Sequence, residues 1–428
     1  MRPFNSIFSL TQSAFHNKTI VNGSLFSLFS FFGQGISFVL LVLLAHYILP
    51  NEYGLLSLFT TIVTFVGIVI AFSTRGYPGV TYFKKDSEGF KKDFTATVVL
   101  GTVTLLLLVI IVLLFGGWLS GILGLSNTLL WYVLIIAFFS FTFLLQQDYL
   151  RIKEKVASYG FYNCGLAILN FVLSVLFVIT FKQGWMGRVN AWVLGSVIFG
   201  VTSCFFFFKN DLIRPTQSRK VYQDALAWGV PMIPHSASTW LRQGADTYII
   251  NFFHTTYAVG IFNFAMTLSN IIVMIGTAFN STNSVTLFQI LSDKTLTNEE
   301  KKVRLNRQTR MTFWIYVGAT LAVLLLMTFI SYTILPKYIE SVPIMWILAI
   351  SALGNCIYFL YCNYLFYYNE TKNLMYITFG TSVAHFFLSL VLTRYSLYIT
   401  ACIYGVMMML MTCLVIRRAK KLIKIYLQ

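Results

Sequence analysis

Long apolar stretches separated by short charged segments run along the whole chain. No charged residue lies between Lys18 and Glu52, which predicts a first membrane-spanning helix at about 22–48. The uncharged stretch 53–74 predicts a second span, since about 20 apolar residues cross a bilayer as a helix. Further uncharged stretches predict six more spans: 155–182, 188–209, 310–337, 340–370, 372–394 and 394–417.

Two longer stretches each predict a pair of spans. The stretch from Asp93 to Asp148 carries no charge and is too long for one crossing, and its glycine-rich middle (116–124) divides it into the third and fourth spans. The stretch from Asp224 to Asp293 gives the seventh and eighth spans and is the only such pair with charges inside a span. The pattern therefore predicts about twelve spans.

Composition agrees with a membrane protein. Hydrophobic residues make up 57% of the 428 residues and charged residues 11%, against about 25% charged residues in ordinary soluble domains. The mean hydropathy is +0.74. Twelve spans leave short loops and no separate soluble domain, so we expect an all-α polytopic membrane protein.

The basic residues predict the orientation of the spans. The chain has 31 Lys and Arg against 14 Asp and Glu, an excess that suggests nucleic-acid binding in a soluble protein. With both termini in the cytoplasm, 25 of the 31 fall in cytoplasmic segments, as the positive-inside rule requires. The excess of basic residues therefore indicates membrane topology rather than a nucleic-acid-binding site. Four more basic residues lie in the outer loops, and the remaining two, Arg75 and Arg242, lie at the end of a span and inside one.

The chain also contains a short internal repeat. The stretch 48–59, which joins the first two spans, is similar to 253–264, which joins the seventh and eighth. Their glycines, Gly54 and Gly260, are separated by about half of the chain. Repeated halves are common in secondary transporters. We therefore expect two six-helix bundles, at 1–210 and 224–428, joined by a cytoplasmic linker at 211–223.

Five short stretches resemble motifs of a known transporter family: Ala45–Gly54, Gln146–Lys153, Trp228–Pro231, Ala245–Ile250 and Tyr257–Phe262. Together they resemble the Wzx-type oligosaccharide flippases of bacterial surface-polysaccharide pathways. This family belongs to the superfamily that also contains multidrug-and-toxin extruders and lipid II flippases.

This resemblance implies a V-shaped pair of six-helix bundles that works by alternating access. The implied substrate is an undecaprenyl-diphosphate-linked oligosaccharide, such as an O-antigen repeat unit in lipopolysaccharide biosynthesis. It would move from the cytoplasmic to the outer leaflet of the bacterial inner membrane. Membrane lipids, a polysaccharide polymerase and a chain-length regulator are the partners that the resemblance suggests.

Arg242 and Asp246 are the strongest candidates for a substrate site. They are four residues apart on the seventh span, so one helical face carries both. Charges inside a membrane usually face a cavity or a bundle interior. Arg242 could bind a diphosphate or acidic sugar, with Asp246 orienting it or carrying a coupling proton. Alternatively, the two form a structural ion pair that neutralises itself.

Arg75 and Gln34 are weaker candidates for contacts with the substrate. Arg75 lies at the cytoplasmic end of the second span and either extends to the lipid headgroups or meets the lipid diphosphate at a gate. Gln34 lies between Gly33 and Gly35, which allow close helix packing or a hinge beside a sugar-binding amide.

The seventh span also contains candidate kinks and titratable groups. Pro231 and Pro234 are expected to kink it. His235 on this span and His385 on the eleventh could join Asp246 in a proton relay, or could be structural histidines whose hydrogen bonds are satisfied within the membrane.

Enzyme chemistry has no sequence signature here. Walker, HExxH and GxSxG motifs are missing, and the six cysteines lack metal-ligand spacing. We therefore expect a flippase that is not an enzyme and needs no metal or cofactor. The alternatives are a multidrug or cation antiporter of the same superfamily and a membrane-bound polysaccharide polymerase or ligase.

Overall fold

The structure is a computed structural model, and it describes residues 18–72, 74–215 and 218–427, apart from the side chains of residues 18–21, 24 and 235. The described chain is almost entirely helical. Its fourteen α-helices are Lys18–Tyr47 (α1), Pro50–Ala71 (α2), Tyr77–Thr81 (α3), Ser87–Leu123 (α4), Asn127–Ile152 (α5), Val156–Val175 (α6), Gly184–Lys209 (α7), Arg219–Gly229 (α8), Ile233–Phe253 (α9), Thr256–Ser292 (α10), Asn298–Thr333 (α11), Ser341–Tyr367 (α12), Thr371–Leu392 (α13) and Leu397–Tyr426 (α14).

Eleven of the described helices are long and apolar enough to cross a membrane. The remaining predicted span, the seventh, corresponds to α9, which has 21 residues and is less apolar because it carries Arg242 and Asp246. With α9, twelve described helices have 20 residues or more. The predicted fold class, a polytopic all-α membrane protein, is confirmed.

The predicted division between the third and fourth spans falls at the last of the four glycines in 116–124. The glycines at 116, 117 and 121 do not end α4, which continues to Leu123 and stops at Gly124. Gly124 has a φ of 65°, the left-handed conformation in which glycine ends helices. Gly116, Gly117 and Gly121 have a helical backbone, so α4 continues through them.

The chain divides into two compact units. The first comprises the residues up to Leu44 together with Val66–Met232, and the second comprises Ala45–Phe65 together with Ile233–Gln428. The division between 1–210 and 224–428 stays a prediction.

The core of the first unit forms where α4, α5 and α7 meet. Phe94, Phe141, Tyr149 and Phe207 pack there as a buried aromatic cluster, and the Phe94 and Phe207 rings meet edge to face.

The second unit contains a buried core made by α10, α12 and α14. A Cβ on Gly276 of α10 would lie 2.4 Å from Sγ of Cys356 on α12, so these helices approach closely. Thr412 on α14 donates a hydrogen bond to the carbonyl of Gly354 on α12 at 3.0 Å. Small residues and hydroxyl groups therefore hold these helices together, as is usual in membranes.

The segment Ala45–Phe65 is bound to the rest of the second unit through its backbone. The Tyr338 hydroxyl donates to the carbonyl of Ile48 at 3.0 Å, and the Tyr248 hydroxyl donates to that of Leu58 at 3.2 Å. These bonds explain why the N-terminal part of α2 groups with α9–α14.

Gly54 and Gly260 give the predicted repeat a structural counterpart within this unit. A Cβ on Gly54 would lie 2.0 Å from the carbonyl oxygen of Thr256, and one on Gly260 would lie 1.8 Å from that of Pro50. Pro50 and Thr256 are the first residues of α2 and α10, each four positions before its own glycine. The two helix starts thus pack on each other reciprocally.

Candidate functional site

Arg242 lies in the middle of α9, inside the second unit, and is partly buried. One terminal nitrogen of its guanidinium donates to Oγ of Ser382 at 3.1 Å and to Sδ of Met411 at 3.2 Å. Both of these acceptors are uncharged. Among the described residues, no carboxylate lies within ion-pair distance of Arg242.

Asp246 has a different partner from the one that the sequence suggested. Its Oδ2 lies 3.0 Å from Nε2 of His385 on α13, and both side chains are fully buried. Its other oxygen, Oδ1, has no hydrogen-bond partner among the described residues. A single contact therefore fixes the carboxylate.

The self-neutralising Arg242–Asp246 ion pair, one of our two sequence-based interpretations, does not form. The spacing puts Arg242 and Asp246 on one face of α9, but the carboxylate of Asp246 is bound to His385 on α13 instead of to Arg242. Helical spacing shows which residues share a face and gives no information about the neighbouring helix.

Two contacts connect α9 to α13 one turn apart. Arg242 bonds Ser382, and four residues further along α9, Asp246 bonds His385. The contacts follow the same order along both helices, so α9 and α13 run in the same direction, as two odd-numbered spans must.

Gln243 and Tyr404 complete the surroundings of the site. The Gln243 amide donates to the Tyr404 hydroxyl at 3.2 Å. The Tyr404 ring meets the His385 ring edge to face, with 5.6 Å between centroids. Ser389 lies at the edge of the site, with Oγ 3.5 Å from Nε2 of His385.

Sequence reasoning missed Ser382, Met411 and Tyr404. A usable signal existed on α13, where buried polar residues recur every three or four positions: Thr378, Ser382, His385 and Ser389. This spacing marks one helical face that is polar and directed inward. Met411 and Tyr404 have no comparable signal, because they are ordinary residues for an apolar helix.

Arg75 lies away from this site, in the first unit. Its Nε is 2.9 Å from Oδ2 of Asp148 near the C-terminal end of α5, and the Arg75 side chain is 41% exposed. Arg151, one turn further along, lies 3.9 Å from the same carboxylate. Arg75 thus combines an ion pair with access to solvent or headgroups.

Gln34 lies on an exposed face of α1, and its amide donates to the Ser30 carbonyl of the same helix at 3.3 Å. The helix continues through Gly33 and Gly35 without interruption. A Cβ on Gly33 would lie 2.6 Å from Oδ1 of Asn163, whereas Gly35 faces open space. Close packing therefore explains Gly33, and the hinge stays a prediction.

Pro231 lies in a 3₁₀ turn, Val230–Met232, that separates α8 from α9, and Pro234 lies in the first turn of α9. The α-helical hydrogen bonding is therefore interrupted where the prolines predict a kink. The side chain of His235 lies outside the described residues, as does Arg2 of the cytoplasmic basic set.

Metal binding has no candidate among the described residues, since no three His, Cys, Asp or Glu side chains form a metal-binding group there.

The fold and the site together define a multi-pass helical membrane protein with a buried Arg, Asp and His cluster in one unit. The family model described as "Polysaccharide biosynthesis protein" matches residues 20–288. This match covers more than half of the chain, so the chain belongs to the polysaccharide biosynthesis protein family. The resemblance to polysaccharide flippases is thus confirmed at the family level. No curated protein matches the chain significantly.

Solved structures show the same fold at low sequence identity. The lipid II flippase MurJ, in an inward closed conformation, superposes with a TM-score of 0.75 at 16% identity, covering 92% of this chain and 87% of MurJ. An inward-facing multidrug resistance MATE transporter of the MOP superfamily gives 0.69 at 13% identity, with 94% and 95% covered. A MOP superfamily transporter from Pyrococcus furiosus gives 0.64 at 12% identity, with 96% and 97% covered.

Proposed function

We propose that the chain is a flippase that moves a lipid-diphosphate-linked oligosaccharide from the cytoplasmic to the outer leaflet of the bacterial inner membrane. The polysaccharide biosynthesis family and the MOP-superfamily fold support this proposal. The single observation that carries it is the charge of Arg242. Asp246, the acid one turn away, is held by His385, while among the described residues Arg242 forms hydrogen bonds only with neutral groups.

An uncompensated guanidinium in a membrane helix calls for an anionic partner. Burying an ion without a counter-charge is costly, so a site of this kind gains free energy when an anion arrives. The planar fork of Arg suits the two oxygens of a phosphate group in a bidentate geometry. A lipid diphosphate, or an acidic sugar attached to it, supplies that anion.

The other candidate residues take secondary roles in this proposal. Arg75 meets the diphosphate at the cytoplasmic face, and Gln34 offers an amide to the sugar. Gly33, Gly35, Pro231 and Pro234 are the sites where helices bend during alternating access. Undecaprenyl diphosphate is the lipid carrier, and a polymerase and a chain-length regulator act on the product.

Asp246 and His385 are also our candidates for the coupling-ion site, with His235 as a further relay member. The two groups share one hydrogen bond and are shielded from solvent, so a proton can be held between them. Coupling to an ion gradient would then use the pair while Arg242 holds the cargo.

Two alternatives fit the geometry less well. A cation exporter favours an uncompensated acid in the membrane, but Asp246 is bonded to His385 and the unpaired charge is positive. A polymerase or ligase would need a long outer loop with catalytic groups. With cytoplasmic termini, the longest outer connections between the described helices are only 176–183 and 334–340.

Depletion of the protein in its host tests the proposal. We expect lipid-linked oligosaccharide to accumulate with its sugar accessible only from the cytoplasmic side, and we expect the wild-type gene to restore its outward movement. Normal appearance of the oligosaccharide on the outer leaflet after depletion would overturn the proposal. Raised drug resistance on overexpression, with unchanged oligosaccharide export, would favour the exporter.

A further inference from the structure

From its position on α9, the carboxylate of Asp246 can reach two basic side chains. Arg242 precedes it by one turn on the same face of α9, and His385 faces it from α13. Only the second contact is formed, through Oδ2, and Oδ1 has no partner among the described residues. The side chain therefore depends on one hydrogen bond to stay away from Arg242.

We propose that His385 is a positioning residue for anion binding: by holding Asp246, it prevents Asp246 from neutralising Arg242. This inference rests on the proposed function, because it assumes that Arg242 binds the diphosphate of the cargo. It assigns to His385 a role that does not require the imidazole to touch the cargo.

The groups around Arg242, Asp246 and His385 indicate what happens when the contact between Asp246 and His385 is lost. The described groups that contact the three residues include Ser382 and Ser389 on α13, and Met411 and Tyr404 on α14. None of these four carries a carboxylate. Asp246 is therefore the only acid among these described groups, and its partner determines whether the carboxylate contacts Arg242.

Removal of His385 leaves Asp246 without its hydrogen bond in a buried site. Stranding a buried charge is unfavourable, and Arg242 is the nearest basic group on the same helix face. We expect the carboxylate to turn towards the guanidinium and to compete with the incoming anion. Either the charged ring of His385 or its neutral Nε2–H tautomer can hold the carboxylate, since Nε2–H donates in both.

A second substitution separates positioning from packing. If His385 serves only to hold Asp246, replacement of Asp246 by Asn makes His385 dispensable, because no acid remains to neutralise Arg242. If His385 is needed for packing or contacts the anion itself, the Asn replacement restores nothing.

Equilibrium binding to the purified full-length protein in detergent micelles tests this directly, since no ion gradient is present. The probe is undecaprenyl diphosphate, and uncharged undecaprenol reports binding through the lipid tail alone. We expect His385→Ala to weaken diphosphate binding on the order of tenfold or more, the usual scale for losing a partner of a desolvated charge pair. Undecaprenol binding should not change.

The double variant His385→Ala/Asp246→Asn should regain wild-type diphosphate affinity within about threefold, below the range of one lost charged hydrogen bond. Asp246→Asn alone should bind as well as wild type, and His385→Gln, whose amide can donate to Asp246, should lose less than His385→Ala. Thr381→Ala, on α13, is the matched control and should bind normally, because the Thr381 hydroxyl donates to the carbonyl of Ile377 on its own helix at 2.8 Å.

The binding results distinguish the positioning role from its alternatives. If the double variant stays as weak as His385→Ala while Asp246→Asn binds normally, the positioning role is wrong and His385 acts by itself. If His385→Ala does not fold, the double variant, which carries no stranded carboxylate, and His385→Gln give the same decision. If the wild type prefers diphosphate no more than undecaprenol, or Arg242→Ala binds it equally well, it is the proposed function that fails.

Discussion

Gly54 on α2 faces the backbone carbonyl of Thr256 at the start of α10, at a distance that leaves no room for a side chain. A Cβ on Gly54 would lie 2.0 Å from that oxygen. The obstacle is backbone rather than a flexible side chain, so relief would require a shift of one helix start. The reciprocal contact of Gly260 with Pro50 imposes the same restriction.

We expect Gly54→Ala and Gly260→Ala each to destabilise the protein by about 1–3 kcal/mol, the cost of overpacking a close contact. The thermal midpoint in detergent should fall in both variants. Gly67→Ala is the matched control, since Gly67 lies on the same helix as Gly54 and faces open space. An unchanged midpoint in Gly54→Ala would show that the two helix starts do not pack in this way.

The sequence was sufficient to predict the membrane-spanning helices, because hydropathy is a property of each segment taken alone. The uncharged stretch 340–370 predicted α12, found at Ser341–Tyr367, and the stretch 188–209 predicted most of α7, found at Gly184–Lys209. Charges flank α12 on both sides and Lys209 ends α7, so counting along the sequence finds these boundaries, whereas α7 begins four residues before Arg188.

The site needed information that a single segment does not contain. His385 lies 139 positions after Asp246, and nothing in either segment indicates the rotation that brings them together. The spacing on α9 correctly placed Arg242 and Asp246 on one face, but the partner of each was decided by the neighbouring helices. The assignment of Ala45–Phe65 to the second unit depends likewise on backbone contacts that carry no sequence signal.

Arg75 and Asp148 should show a measurable but modest coupling. Their side chains are 41% and 25% exposed, and ion pairs of this kind contribute about 0.2–1 kcal/mol. A double-mutant cycle with Arg75→Ala and Asp148→Ala, measured on the free energy of unfolding, gives the coupling energy.

Transport by the same two variants shows whether Arg75 also meets the cargo. We expect Arg75→Ala to transport less than Asp148→Ala, because only the arginine attracts a diphosphate. Equal transport in the two variants would assign the pair a purely structural role.

Glu370, in the connection between α12 and α13, should make stability depend on pH. Its carboxylate accepts a hydrogen bond from Arg418 at 2.6 Å, and this bond lowers the pKa of Glu370 below its ordinary value. A lowered pKa contributes stability above the ordinary carboxyl pKa, and this contribution is lost as the pH falls through the pKa of the folded state.

Glu370→Gln should therefore lower the thermal midpoint at pH 7, and the difference from wild type should shrink in acid. Glu299, whose side chain is 80% exposed, provides the control variant Glu299→Gln with little change at either pH. A deficit of Glu370→Gln that grows in acid would contradict the direction of the pKa shift.

Cysteine labelling tests the predicted orientation of the helices. In a variant without native cysteines, Gln183→Cys lies in an outer connection and Asn298→Cys at the start of α11 in a cytoplasmic one, if both termini are cytoplasmic. A membrane-impermeant maleimide should label the first in intact cells and the second only after permeabilisation. The reverse pattern would invert the topology and place Arg75 at the outer face.

Transport by Arg242 variants in proteoliposomes tests the central claim most directly. Wild type, Arg242→Lys and Arg242→Ala are reconstituted with the lipid-diphosphate-linked oligosaccharide, and the fraction that reaches the opposite leaflet is measured over time. We expect Arg242→Ala to lose most of the wild-type rate and Arg242→Lys to keep an intermediate rate, because an ammonium group lacks the bidentate fork of a guanidinium. A wild-type rate in correctly folded Arg242→Ala would contradict the assignment of Arg242 to the cargo.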